Sequence, residues 1–220
     1  MSEKIKYGVV GYKGRLGGEV VNVFLENSHE LVYKFDVDGE SQREKPSVII
    51  DCSLPDVFEK TIKTVIENNI PLVLATTGLS KEQLTKLKEI STVIPVVQSY
   101  NYSIGIQILL KLTQIAHEKL PDWDIEIEET HHRFKKDKPS GTAKMIENIF
   151  KDKQVNVSSL RLGNVPGDHI VSFGGLGEVL SIKHVATSRR TFAEGILKSA
   201  EFIVKKKNGL FSFTDVIFGD

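Results

Sequence analysis

Val9-Val10-Gly11-Tyr12-Lys13-Gly14-Arg15-Leu16-Gly17 is the stretch that decides how this chain folds. A β-branched run, Lys6–Gly11, enters it and a helical pattern, Arg15–Asn27, leaves it. Glycines at such a strand-to-helix turn let the backbone bend tightly and bring free N–H groups up to an anion at a helix N-terminus. The spacing is G-x-x-G-x-x-G, because Lys13 stands where the strict dinucleotide fingerprint has its second glycine. Arg15 adds a cation beside the expected phosphates. Asp36 ends the next apolar run roughly 20 residues on, where an acid bonds the ribose hydroxyls of a dinucleotide. Asp38 competes for that role, and Asp36 is favoured because the run stops there.

Outward from this turn, strand and helix alternate. Further strand-like runs are Glu30–Asp36, Ser47–Asp51, Pro71–Ala75 and Val93–Gln98, and further helical stretches are Val57–Asn68 and Lys81–Ser91. Phe58, Ile62, Val65 and Ile66 recur at helical spacing, as do Leu84, Leu87 and Ile90 behind a Ser80 cap. Strand–helix–strand repetition predicts a parallel sheet with helices on both faces. The turns Asp51–Pro55 and Ala75–Gly78 then face one crevice, outside the carboxyl ends of the strands. Cys52, with no His near it in sequence, reads as a small buried filler.

The pattern changes after Asn101. A helix over Ile104–Leu120 precedes Asp124–Thr130, which alternates with Ile125 and Ile127 inward and Glu126 and Glu128 outward. A polar loop, His131–Ser140, leads to a helix over Gly141–Lys151. Strands follow at Val157–Gly163, His169–Phe173 and Glu178–Ala186, then a helix over Phe192–Lys205 and a tail, Leu210–Phe218. The fold class is therefore α/β. A Rossmann-type dinucleotide-binding domain spans residues 1–102 and 190–220, and an α+β domain with an open mixed sheet spans 103–189.

Composition narrows the function classes. The 220 residues carry 29 basic and 29 acidic side chains, so the electrostatic footprint of a nucleic-acid binder is missing. One Cys builds neither a disulfide framework nor a thiolate zinc site, which fits a reducing compartment. No signal segment and no run of ~18 apolar residues is evident, so a cytoplasmic protein without a membrane span is expected.

The densest reactive cluster is Glu129-Thr130-His131-His132-Arg133-Phe134-Lys135-Lys136-Asp137-Lys138-Pro139-Ser140-Gly141-Thr142-Ala143. Neighbouring His residues on an extended chain point opposite ways and need not share a job. Neither H-E-x-x-H nor a Cys pair is present, so no metal is expected. Pro139-Ser140-Gly141-Thr142 places hydroxyls and free N–H groups at a helix start, where a carboxylate would be held.

This cluster resembles the E-x-H-H-x-x-K-x-D-x-P-S-G-T-A signature of bacterial 4-hydroxy-tetrahydrodipicolinate reductase, also called dihydrodipicolinate reductase. Gly11–Gly17, Asp51–Pro55, Thr76-Thr77-Gly78, Asn101–Gly105, Arg161–Gly163, Gly167–His169, Gly177-Glu178, His184 and Ser188-Arg189 agree in order. So do Phe192-Ala193 and Gly195, and the likeness covers nearly the whole chain. It implies reduction of a cyclic dicarboxylate with NADH or NADPH in the diaminopimelate route to lysine, by a homotetramer assembled through the substrate-domain sheets. Carried over by motif, Gly11, Tyr12, Lys13, Gly14, Arg15, Leu16, Asp36, Ala75, Thr76, Thr77, Ser99, Tyr100, Asn101 and Tyr102 would contact the dinucleotide. His131 would be the acid/base residue and Lys135 the proton donor, with His132, Gly141 and Thr142 binding substrate. Ala75 replaces the Gly usual before the Thr pair, and Ser99-Tyr100 stand where Ala-Pro is common.

The chemistry agrees with that reading. A nicotinamide delivers hydride but no proton, so the protein must supply one. Two substrate carboxylates need cations and oriented N–H groups. Two rival readings are another amino-acid-pathway dehydrogenase, which would not need the His-His-x-x-Lys loop, and a non-catalytic dinucleotide sensor, which would tolerate loss of His131 and Lys135.

Overall fold

The computed structural model describes residues 4–219. Its contacts divide the chain into two compact units, one running up to Tyr102 and resuming at Arg189, the other Ser103–Ser188.

The first unit is built on strands β1 (Lys6–Val10), β2 (Glu30–Asp36), β3 (Gly39–Gln42), β4 (Val48–Asp51), β5 (Leu72–Leu74), β6 (Pro95–Gln98) and β11 (Gly209–Phe211). They form one sheet in the order β11-β6-β5-β4-β1-β2-β3, parallel except for the β2–β3 hairpin. The pleat sends Val9 and Ile50 to one face, against helices α1 (Arg15–Glu26), α6 (Arg190–Ile203) and α7 (Phe213–Phe218). It sends Val10 and Ile49 to the other, against α2 (Phe58–Asn68) and α3 (Lys81–Ile90). Both faces are covered, which is why these strands read as continuous apolar runs. Ser80 closes a capping box on α3 with Gln83.

Chain order places β2 on one side of β1 and β4 on the other. The carboxyl ends of β1 and β4 therefore flank a topological switch point, where ligands bind in open α/β sheets.

The second unit carries a four-stranded mixed sheet, β10-β9-β7-β8, from β7 (Asp124–His131), β8 (Asn156–Arg161), β9 (Asp168–Gly174) and β10 (Val179–Val185). Helices α4 (Ile104–Lys119) and α5 (Gly141–Glu147) accompany it, and Leu109, Ile127, Ile146, Phe150, Val171 and Phe173 form one core.

Four details differ from the sequence reading. Gly39–Gln42 is a strand, although all four residues are exposed and carry no apolar signal. The tail Leu210–Phe218 contains β11, which extends the sheet beside β6, and then α7. Helix α5 stops at Glu147 rather than Lys151. Beyond it the chain tightens into i→i+3 turns, Ile149 N–H to Ile146 O and Phe150 N–H to Glu147 O, that drop Phe150 into the core. His131 is the last residue of β7 and buried, not the first of a polar loop.

Candidate active site

The glycine turn sits at the switch point of the first unit. Gly11 has φ +80°, and a Cβ there would lie 2.9 Å from both Cys52 O and Ser53 Cα in the turn after β4. Gly17 is tighter still: its Cβ would stand 2.0 Å from Gly11 O. Only glycine lets α1 begin this close to the strand end. Gly11 N–H is held by Phe35 O at 2.8 Å, and Gly14 caps α1.

Asp36 accepts from the backbone N–H of Lys13 at 2.8 Å and of Val37 at 2.7 Å, which ties the end of β2 to the glycine turn. Asp38 accepts from the Tyr12 hydroxyl at 2.7 Å and pairs with Lys13 Nζ at 2.8 Å. Hydrogen bonds from Lys13 and Tyr12 hold the Asp38 carboxyl at about 2. The two aspartates thus have different jobs: one braces the turn, the other engages the side chains on it.

Asp51, fully buried at the end of β4, was not singled out by the sequence. Its carboxylate takes Ser53 N–H at 2.9 Å, Thr61 Oγ1 at 2.6 Å and Thr76 Oγ1 at 2.7 Å, so one acid fixes two of the turns beside the crevice. The Thr76 hydroxyl is therefore engaged within the protein, while Thr77 is exposed beside it. Ser99 Oγ donates to Asn101 O at 2.9 Å, and Tyr100 is exposed. Tyr102 is a core side chain whose hydroxyl donates to Leu74 O at 2.8 Å. Burial, with the nearby Asp51, pushes the Cys52 thiol up, which suits a filler and not a nucleophile.

In the second unit, period-two alternation puts Ile127, Glu129 and His131 on the same buried face of β7. Glu129 is 0% exposed, His131 7% and His169, on β9, 1%. A buried carboxylate demands partners, and Glu129 takes four hydrogen bonds from three residues. Arg161 grips it with both terminal nitrogens, 2.9 Å each, Ser140 N–H reaches it at 3.3 Å, and His131 Nδ1 bonds its second oxygen. Burial alone would raise the Glu129 carboxyl; the bonds from Arg161, Ser159 and His131 outweigh it and hold the group at about 2.

His131 sits lower than an ordinary imidazole because burial, helped by the charges of Lys135 and Arg161, outweighs the pull of Glu129. His169 is pushed down to about 3, mainly by burial and then by His131. Its ring meets that of His131 edge to face at 5.2 Å, and its Nε2 lies 3.2 Å from Ser140 Oγ. Lys135, half-buried in the loop, pairs with Asp137 at 2.9 Å. His132 lies half-buried just past the strand; Gly141 and Thr142 open α5, behind Ser140, whose Oγ caps Ala143 N–H.

The structure thus sets His131 on a salt-bridged Glu129, with the charge of Lys135 acting on His131 from the adjoining loop, and brings the glycine turn and Asp36 together at the switch point. Glu129, Arg161 and His169 were not assigned site roles by sequence reasoning. The signal for Glu129 was available, since the inward Ile125 and Ile127 lead by twos to 129.

A glycine turn of this form at the switch point of a parallel sheet covered by helices on both faces defines a Rossmann-type protein of the dinucleotide-fold class. The family model for the dihydrodipicolinate reductase N-terminus matches residues 5–102, and that for its C-terminus matches residues 105–217. The 4-hydroxy-tetrahydrodipicolinate reductase of Thermosipho africanus (strain TCF52B) is 46% identical over 213 residues, covering 97% of this chain and 98% of that protein. The dipicolinate-bound dihydrodipicolinate reductase from Paenisporosarcina sp. TG-14 superposes with a TM-score of 0.76 at 24% identity, covering 96% of this chain and 98% of that one. Aspartate semialdehyde dehydrogenase II from Vibrio cholerae shares the fold alone, at a TM-score of 0.57 and 10% identity over 93% of this chain and 99% of that one. This chain belongs to the dihydrodipicolinate reductase family. Among the described residues no helix is long and apolar enough to cross a membrane.

Proposed function

We propose that this protein reduces 4-hydroxy-tetrahydrodipicolinate to tetrahydrodipicolinate, using NADH or NADPH, in the diaminopimelate route to lysine. The observation that carries the reading is the His131-His132-x-x-Lys135 loop running into Ser140-Gly141-Thr142, within a chain 46% identical to a reductase of that name.

The residues present fit a dinucleotide. The cradle at Gly11 and Gly17 has no room for a Cβ, and the start of α1 is bounded by glycine backbone and by Arg15. Gly11 to Leu16 and Asp36 would hold it, with Ala75, Thr76, Thr77 and Ser99 to Tyr102 alongside; Tyr102 would contribute through its backbone, since its side chain is in the core. When bound, the reduced nicotinamide supplies hydride.

The reaction takes up a hydride and a proton and releases water, so the protein's task is the protons and the two substrate carboxylates. His131 exchanges a proton, an imidazole being the side chain whose ordinary titration lies near neutrality. Lys135 donates a proton and offsets a carboxylate charge. His132, Gly141 and Thr142 bind substrate. Asp36, the last residue of β2, favours ribose hydroxyls over a 2′-phosphate, and Lys13 is already neutralised by Asp38, so NADH is the preferred of two usable cofactors. The assembly is a cytoplasmic homotetramer through the second-unit sheet, whose edge strand β10 exposes Val179, Leu180 and Val185.

The test is loss of reduced-nicotinamide absorbance when substrate is generated from pyruvate and aspartate semialdehyde by a condensing enzyme. Decay that requires both this protein and the substrate is expected. No decay with either cofactor overturns the reading.

A further inference from the structure

Glu129 occupies a position that strand alternation reserves for a core side chain, yet it is ionised and held by four hydrogen bonds from three residues. Its main partner is itself immobilised. Besides the two bonds to Glu129, the Arg161 guanidinium donates to the carbonyls of Leu160 at 2.6 Å, Asp137 at 2.5 Å and Lys135 at 3.3 Å. A planar fork fixed at that many points leaves the carboxylate a single orientation.

The consequence falls on His131. An ionised carboxylate can only accept hydrogen bonds, so the Nδ1 bonded to it carries the hydrogen. In the neutral ring the lone pair is then on Nε2. That nitrogen lies beside Gly167, where a Cβ would stand 2.9 Å from it. Glycine there keeps a side chain off the atom.

We propose that Glu129 is a positioning residue for the reduction: clamped by Arg161, it fixes His131 as the Nδ1–H tautomer and leaves Nε2 as the atom that exchanges the proton. This rests on the function proposed above. The ionisable groups facing His131 are Glu129 on β7, Arg161 on β8, His169 on β9, and Lys135 and Asp137 in the loop. Of these, Glu129 favours the imidazolium, while Lys135 and Arg161 oppose it. Removing the Glu129 charge therefore lowers the pH at which His131 takes a proton, besides freeing its ring.

The test uses the full-length protein with Glu129→Gln, Glu129→Asp, and the double variant Glu129→Gln/Arg161→Gln, which avoids stranding a buried guanidinium. Ring ¹⁵N spectra of His131, assigned by its loss in His131→Gln, report the tautomer without substrate or cofactor. In the wild type Nδ1 should be protonated and Nε2 bare, and that preference should fade in Glu129→Gln. The kcat should fall about ten- to hundredfold with KM nearly unchanged, the limb of the pH profile that His131 sets should move to lower pH, and Glu129→Asp should recover part of the loss. A merely structural ion pair would move stability and leave the tautomer and pH profile alone.

A wild-type His131 protonated on Nε2 overturns the proposal, even if every Glu129 variant fails to fold. So do folded variants with wild-type kcat and pH profile. Should the wild type show the Nδ1–H tautomer but fail to reduce the ring substrate, the function is wrong while the hold of Glu129 on His131 stands.

Discussion

Gly17 lies inside α1, where alanine would ordinarily be the better residue by about 1 kcal/mol. Its Cβ, however, would stand 2.0 Å from Gly11 O, 2.8 Å from Gly11 C and 2.9 Å from Tyr12 Cα. All three are backbone atoms, so no side chain can rotate out of the way. Reaching ordinary contact at 3.4 Å requires the helix and the glycine turn to part by about 1.4 Å. Overpacking of this kind costs about 1–3 kcal/mol, and rigid backbone on both sides places it at the upper end. Offset by the helix gain, Gly17→Ala should lose about 2 kcal/mol, lowering Tm by about 4–8 °C for a chain of this size. The same shift displaces the N–H groups at the turn, so NADH affinity should drop at least about tenfold. Gly18 is the internal control. Its Cβ would meet only Tyr12 O at 3.7 Å, so Gly18→Ala should keep the helix gain of about 1 kcal/mol and raise Tm by about 2–4 °C. Thermal melts and NADH fluorescence titrations on the two variants decide the matter. A Gly17→Ala protein that melts no lower than wild type and binds NADH unchanged would refute the close-approach argument.

Lys135→Ala should damage kcat and KM together, because it removes a donor and a charge; His131→Gln should mainly lower kcat, by about 10²–10⁴-fold. Wild-type turnover in both, with the fold intact, overturns the chemistry assigned to these two side chains. Asp36→Ala should weaken NADH use more than NADPH use, and a wild-type kcat/KM favouring NADPH by about tenfold or more contradicts the assignment of the acid to the ribose. His169 takes a proton near 6.5 when unfolded but only near 3 when folded, so the unfolded chain binds more protons between those values. Its contribution is complete above pH 6.5 and is lost as pH falls toward 3, by up to about 1.4 kcal/mol per pH unit. His169→Gln should flatten the fall of Tm between pH 6.5 and 4; an unchanged slope rules out the burial argument.

The glycine turn and the alternation around it were legible because both are local: period-two runs, 3.6-residue periodicity and turn residues all act within a dozen positions. β3 was not, since Gly39-Glu40-Ser41-Gln42 carries no apolar pattern and forms only because β2 offers an open edge. β11 was missed for a related reason. Three residues gain a place in the sheet by pairing with Pro95–Val97, more than a hundred positions away. The site divides along the same line. His131 and Lys135 announce themselves by residue type and spacing. Arg161 reaches Glu129, 32 positions distant, because parallel pairing sets Arg161 opposite His131, and no window of sequence contains that register.

What the two regions share is a residue that breaks the rule of its own element. Gly17 weakens a helix, and Glu129 puts a charge where β7 packs its core. Each departure carries a local penalty, and neither is repaid by stability alone. A helix started one turn further from β1 could use alanine, and a buried ion pair is often no better than well-packed apolar side chains of the same volume. The compensation lies in what the departures make possible, namely backbone N–H groups exposed at a switch point and an imidazole held by one nitrogen. Local inconsistency of this sort is where function is expected to reside in an otherwise consistent fold. By the same reasoning Asp51, buried and bonded to three hydroxyl side chains, belongs with them: its carboxylate costs the core an apolar side chain and in return fixes the turns after β4 and β5. Asp51→Leu should therefore leave the sheet folded while loosening both turns, seen as weaker NADH binding and faster amide exchange at Ser53 and Thr76 than at Val9 and Ile50. Unchanged exchange at Ser53 and Thr76 would show the turns to be set by the backbone alone.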